Sequence, residues 1–189
     1  MHAPRTPLSA RRTAAHERSF AAAALVFALG STAFAHATLD PSEAAVGSYQ
    51  RAAIRVPHGC AGAATLKLRV RIPEGVVSVK PSPKPGWELE TVKAAYAKPQ
   101  ILHGRQLTEG VQEIVWTGNL LDEHYDEFVF QAYLSDALQP GTTAFFPTVQ
   151  ECEGGKAERW IEIPASGKTS GDYRHPAPGL RLTPAKPTH

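Results

Sequence analysis

The sequence predicts an all-β domain, an antiparallel β-sandwich, on three observations. Leu66, Leu68, Val70 and Ile72 alternate with Lys67, Arg69 and Arg71, the period-two pattern of a strand with one buried and one solvated face. About eight short strand-like segments are separated by Gly and Pro at regular spacing. No segment beyond residue 35 sustains a helical period.

Taken in order, the chain opens with a leader rather than with the domain. Arg5, Arg11, Arg12 and Arg18 precede an apolar run over residues 20–30, which ends in Ala33-Phe34-Ala35. A basic region, a short apolar core and a small-x-small ending describe a secretory signal peptide, residues 1–35, cut before His36. The run is too short for a permanent spanning helix, which takes roughly 20 residues. Phe20 lies too far beyond Arg11-Arg12 for a twin-arginine signal, so the general secretory route is expected.

Residues 49–56 read as the first strand and stop at Pro57. The alternating run 66–72 follows, and Pro73-Glu74-Gly75 turns the chain into residues 76–80. Pro81, Pro83 and Pro85 link to a segment at 87–92. Further strands are expected at 113–117, 127–134, 143–149 and 158–163, with turns at Gly104, Gly110, Gly118, Pro140-Gly141 and Gly154-Gly155. After Pro164 the chain is rich in Ser, Gly, Lys and Pro, the composition of a loose tail. The expected organisation is a signal peptide at 1–35, one sandwich domain at 36–165 and a flexible tail at 166–189.

Removing the leader changes the charge as well as the length. The leader carries four arginines and one acid, Glu17, so 16 basic residues face 17 acidic ones in the remaining 154 of the 189 residues. A balance near −1 gives no reason to expect nucleic acid or an anionic membrane as a partner. No second apolar stretch of spanning length exists, and a periplasmic or secreted soluble protein is expected. Both cysteines, Cys60 and Cys152, lie in the exported part. An even count in an oxidising compartment points to a disulfide, with a cysteine-containing metal site as the alternative.

Cleavage after Ala35 would put an α-amine and an imidazole on one residue, His36. The amine nitrogen and Nδ1 of a single histidine close a six-membered chelate ring on a metal. Nitrogen donors in a tetragonal arrangement favour Cu(II), which tops the affinity order of the divalent first-row metals. Elsewhere the candidates are sparser. His58 sits in Val56-Pro57-His58-Gly59-Cys60, where a strand ends. Asp122, Glu123, Asp126 and Glu127 surround His124, which reads first as a solvated loop, though Glu127 opens a strand and can point inward. Trp160, flanked by Arg159 and Ile161, reads as core. His103, His175 and His189 have no supporting context. No nucleophile elbow, phosphate loop or paired-carboxylate motif is present.

The start His36-Ala37-Thr38-Leu39-Asp40-Pro41 resembles the His-x-Thr-x-x-Pro opening of the YcnI-like copper-binding domain family. The likeness continues through Gly47-Ser48-Tyr49, Arg55-Val56-Pro57, Lys84-Pro85-Gly86-Trp87, Asp126-Glu127-Phe128 and Arg159-Trp160. The resemblance implies an exported sandwich of cupredoxin-like or immunoglobulin-like kind that binds one Cu(II). It implies a mono-histidine brace, formed by the His36 amine and Nδ1 and completed by a carboxylate, with Trp160 over the copper. The family's glutamate follows the Val-Pro step, where this chain has His58-Gly59-Cys60 instead. This resembles a cysteine-containing branch, in which Cys60 pairs with Cys152 and His58, Glu127 or water takes the carboxylate's place; His58 is the expected ligand.

Three functions follow as expectations. The first is a non-enzymatic Cu(II) carrier that sequesters copper or delivers it to a membrane copper transporter or a copper chaperone. The second is a copper-dependent polysaccharide mono-oxygenase, which would need a second equatorial histidine and a flat aromatic face. The third is a metal-free structural or interaction sandwich held by a disulfide.

Overall fold

The computed structural model describes residues 36–185. The expected signal peptide at 1–35, and His189, lie outside the described residues. Along the chain run β1 (Thr38–Asp40), β2 (Glu43–Ala45), β3 (Ser48–Val56), β4 (Thr65–Arg71), β5 (Val76–Pro81) and β6 (Glu88–Leu102). They are followed by β7 (Arg105–Leu120), β8 (Asp126–Leu134), β9 (Thr143–Phe145), β10 (Thr148–Cys152), β11 (Ala157–Trp160) and β12 (Gly179–Thr183). One sheet has the order β1-β3-β8-β5, the other β11-β10-β4-β7-β6, and a small third sheet has the order β2-β12-β9. The expected β-sandwich is therefore present, and among the described residues every strand pairing is antiparallel except β2 with β12.

Alternation builds the core. Strands β3 and β8 pair without interruption from Ser48↔Leu134 to Val56↔Asp126. In that register Ile54, Val56, Phe128 and Phe130 are fully buried, facing Leu68, Val70 and Trp116 of the other sheet within one apolar cluster. Trp87 packs edge-on to Phe128, with ring centroids 4.8 Å apart. Gly118 makes room for that indole: a Cβ there would lie 2.4 Å from Trp87 Cδ2.

Three local expectations are corrected. Leu66 is 37% exposed rather than buried with Leu68 and Val70. Both ladders of β4 shift register at this residue, and a bulge turns the extra side chain to the other face. The strand expected at 158–163 ends at Trp160, and Ile161 and Ile163 are exposed. The expected segments 87–92 and 113–117 are fragments of one long hairpin, β6–β7, closed by His103-Gly104. Both turn residues have positive φ, 47° and 74°, as a two-residue hairpin turn requires. Most of β6 is solvent-exposed, so it carries no apolar alternation by which to be read.

The flexible tail expected at 166–189 is likewise corrected over its middle. Strand β12 pairs with β2 through Leu182↔Ala44 and with β9 through Leu180↔Ala144, and Leu180 and Leu182 are each 1% exposed. Two leucines at period two supply the burial that holds the segment. Cys60 and Cys152 form a disulfide, tying the turn after β3 to the end of β10 across 92 residues of chain. The cysteine metal site is thereby replaced by a covalent staple. Among the described residues no helix is long and apolar enough to cross a membrane.

Candidate metal centre

Strand β1 begins two residues after His36, and its alternation fixes where that histidine stands. Ala37 and Leu39 are buried at 3% and 6%, while Thr38 points outward and pairs with Arg55 of β3. His36 is thus the half-buried residue at the rim of the sandwich, held by the strand it precedes. Against it lies Trp160, the last residue of β11, which pairs with Thr148 of β10. The His36 and Trp160 ring centroids are 5.4 Å apart, the rings inclined at 60°. Residues distant in sequence and carried on opposite sheets therefore meet at one edge of the fold.

A second histidine touches the same indole. The His175 ring centroid is 5.4 Å from that of Trp160, with 51° between the planes. Its backbone is held from both sides by Glu162: the His175 N–H donates to Glu162 Oε2, and the His175 carbonyl accepts from the Glu162 N–H at 3.0 Å. Pro176, Ala177 and Pro178, the next three residues, are buried. They line a cleft of about 230 Å³ that opens beside His36, with Ser170 and Gly179 on the same wall. The segment from 170 to 179 is therefore part of the site's frame, not a tail.

Two buried nitrogens at this edge have no hydrogen-bond partner, Trp160 Nε1 and His175 Nδ1. Buried polar groups are nearly always paired, and among the described residues the interior holds two further exceptions, Trp116 Nε1 and Gln150 Oε1. A carboxylate stands nearby: Glu158 Oε2 is 3.7 Å from His175 Nδ1. Of the groups lining this cleft, the His36 imidazole is the one that could hold a nitrogen-seeking divalent ion such as Cu(II); the indole N–H of Trp160 has no lone pair to offer. Among the described residues no three His, Cys, Asp or Glu side chains form a metal cage. A chelate at His36 takes its amine and Nδ1 from one residue and needs no such cage.

The other expected site residues have different surroundings. His58 lies in the turn before Cys60, with Nδ1 2.6 Å from the Gly59 carbonyl and its own carbonyl accepting from Gln150 Nε2 at 2.7 Å. Glu127 does not reach toward His36. Its Oε1 accepts from Arg55 Nε at 2.8 Å, and the same guanidinium contacts Asp40 at 3.3 Å. The hydrogen bond to Glu127, and then the charge of Asp40, hold the Arg55 pKa above its usual value. The acidic cluster is used locally: Asp122 accepts from the Gly62 N–H and Asp126 pairs with Lys84 at 2.7 Å. His175, which had no supporting context in the sequence, lies against the same indole as His36. The signal available was the apolar pair Leu180 and Leu182, which draws the segment into the fold and its histidine with it.

Comparison with known proteins agrees with this geometry in extent. The profile of a family described as a domain of unknown function, DUF1775, matches residues 36–182, beginning at His36 and ending at the last buried residue of β12. An uncharacterized protein from Nocardia farcinica, whose crystal structure reveals an immunoglobulin-like fold, is 25% identical with a TM-score of 0.56. The match covers 78% of this chain and 98% of that one. No match was found among curated proteins.

Proposed function

This chain belongs to the DUF1775 family, the YcnI-like family, and on that premise we propose that it is an exported Cu(II)-binding protein. It takes Cu(II) as cargo in a brace at His36 and sequesters it, or passes it to a membrane copper transporter or copper chaperone. The chain acts by binding and not by catalysis. One observation carries this reading: His36, the residue at the expected cleavage point and at the start of the family match, stands in ring contact with the buried Trp160.

The roles follow from the chemistry of each group. After cleavage, the His36 α-amine and Nδ1 are the two chelating nitrogens, and β1 holds the residue at the rim of the sandwich. Trp160 covers the inner side of the site with an apolar face and restricts the approach of water. Both nitrogens must be deprotonated to bind, so affinity falls as pH drops and copper is released by protonation or by a competing ligand. Of the other candidate donors, Glu127 is held by Arg55, and His58 stands beside the Cys60–Cys152 disulfide. A site on an open rim, with a cleft beside it, suits transfer by ligand exchange.

The test is a calorimetric Cu(II) titration of protein beginning at His36 beside protein carrying one added residue before it. The brace predicts one-to-one binding in the first and a loss of at least a hundredfold in affinity in the second. Equal affinity in both would remove the N-terminal chelate from the account.

A further inference from the structure

We propose that the cleft bordered by Tyr49 and Tyr133 is a second ligand site, one that takes a small alkylammonium cation. It shares no lining residue with the cleft beside His36, so it stands or falls apart from the copper reading.

Tyr49 and Tyr133 are cross-strand partners in the β3–β8 ladder, with ring centroids 5.0 Å apart and planes inclined at 62°. They lie on the outer face of their sheet, and Tyr49 is 47% exposed. His103, in the turn of the β6–β7 hairpin, stands against both rings at 5.9 and 5.6 Å, with Nε2 3.3 Å from the Tyr49 hydroxyl oxygen. A turn belonging to the other sheet thus holds the two phenols in place. Rings ordered before a ligand arrives lose little freedom on binding it.

The pair borders a cleft of about 640 Å³, within the range of small-molecule sites, between the β2–β3 turn and the end of β8. Glu43, Ser48, Gln50 and Asp136 also line it, and among the described residues no lysine or arginine does. Glu43 is engaged by Arg181 at 3.7 Å. The Asp136 carboxylate has neither a hydrogen bond nor an ion pair among the described residues, so it supplies the free charge. Gly47, at φ 71°, leaves that carboxylate room: a Cβ there would lie 3.1 Å from Asp136 Oδ1. Burial, and then the charge of Asp136, hold the Tyr133 phenol above its usual pKa, so it stays neutral beside the carboxylate.

The face of an aromatic ring is negative and attracts a cation, most of all one with apolar surface such as a quaternary ammonium. A cleft whose charged lining is of one sign adds to that attraction. A neutral sugar would leave the Asp136 charge unanswered. A phosphate attached to the ammonium group would meet Glu43 and Asp136, so the structure favours a free amine over a phospholipid headgroup.

Nuclear magnetic resonance shift mapping of isotope-labelled protein tests this, with choline chloride, its neutral isostere dimethylbutanol, phosphocholine and glucose titrated at constant ionic strength. Choline should give saturable shifts, with millimolar affinity, centred on residues 43–50 and 133–136. Dimethylbutanol, phosphocholine and glucose should each bind about threefold more weakly or worse. Asp136→Asn and Tyr49→Leu change exposed side chains, so their thermal unfolding should match the unaltered protein while choline affinity falls about threefold or more. Unsaturable choline shifts, equal binding of dimethylbutanol or glucose, or undiminished affinity in Asp136→Asn would overturn the cation assignment. Phosphocholine binding as tightly as choline would overturn the choice of a free amine. Each of these outcomes leaves the brace at His36 untouched.

Discussion

Replacing Cys60 and Cys152 together by alanine should destabilise the protein by an amount set by the loop they close. The two residues are separated by 92 positions, and both are buried, at 2% and 5% exposure. Closing a loop of that length in the unfolded chain costs about 4 to 5 kcal/mol of conformational entropy, which the disulfide removes from the folding equilibrium. With a urea m-value of about 2 kcal/mol/M, the unfolding midpoint should drop by about 2 M. Urea titration followed by tryptophan fluorescence measures it, with circular dichroism as a second probe for two-state behaviour. Copper affinity should change little, because Trp160 is positioned by the pairing of β11 with β10 and of β10 with β4. A loss below about 1 kcal/mol with an unchanged m-value would refute the loop-closure argument. A large loss of copper affinity would instead show that the staple positions the site.

Two further substitutions probe the frame around the site. Leu182→Ala removes a side chain that is 1% exposed in β12 and should cost about 2–5 kcal/mol by chemical denaturation. A change under about 1 kcal/mol would return this segment to the status of a tail. Gly110→Ala places a Cβ 1.8 Å from the Tyr96 hydroxyl oxygen, so the ring must move, at a cost of about 1–3 kcal/mol. In a Tyr96→Ala background the same substitution should cost much less, and equal costs in both backgrounds would place the strain elsewhere.

The parts of the fold visible in the sequence were those with one wet and one dry face. Strands β3 and β8 run across the middle of their sheet and lie within a residue of expectation; β8 alternates cleanly through Phe128, Phe130, Ala132 and Leu134, whereas β3 buries Ala52, Ala53 and Ile54 in a row and is located by its stop at Pro57. The hairpin β6–β7 could be read only where it meets the core, because its outer half is exposed and alternation vanishes when both faces are wet. Strand β12 was hidden for a different reason. Its two leucines sit among Pro, Gly and Lys, and only pairing with β2 and β9, far away in sequence, makes them core. Leu66 shows the limit of pattern reading within a correctly placed strand, since a bulge inverts one side chain without altering the residue types around it.

The site divides along the same line. The chemistry of His36 is legible from its place after the small-x-small motif, whereas its partner Trp160 came from family resemblance, since by pattern it reads as core. The structure makes Trp160 both, 2% exposed and in contact with His36. The contact of His175 with Trp160 could not be found from spacing because it depends on a segment whose burial is non-local.

The most direct test of the central claim is the electron paramagnetic resonance spectrum of protein beginning at His36, titrated with Cu(II) beside the form extended by one residue. The account predicts a tetragonal signal with nitrogen hyperfine structure that saturates at one copper per chain and is lost from the extended form at equal concentration. Weak, unsaturated copper in both forms would contradict it and leave a disulfide-stapled immunoglobulin-like sandwich without a metal.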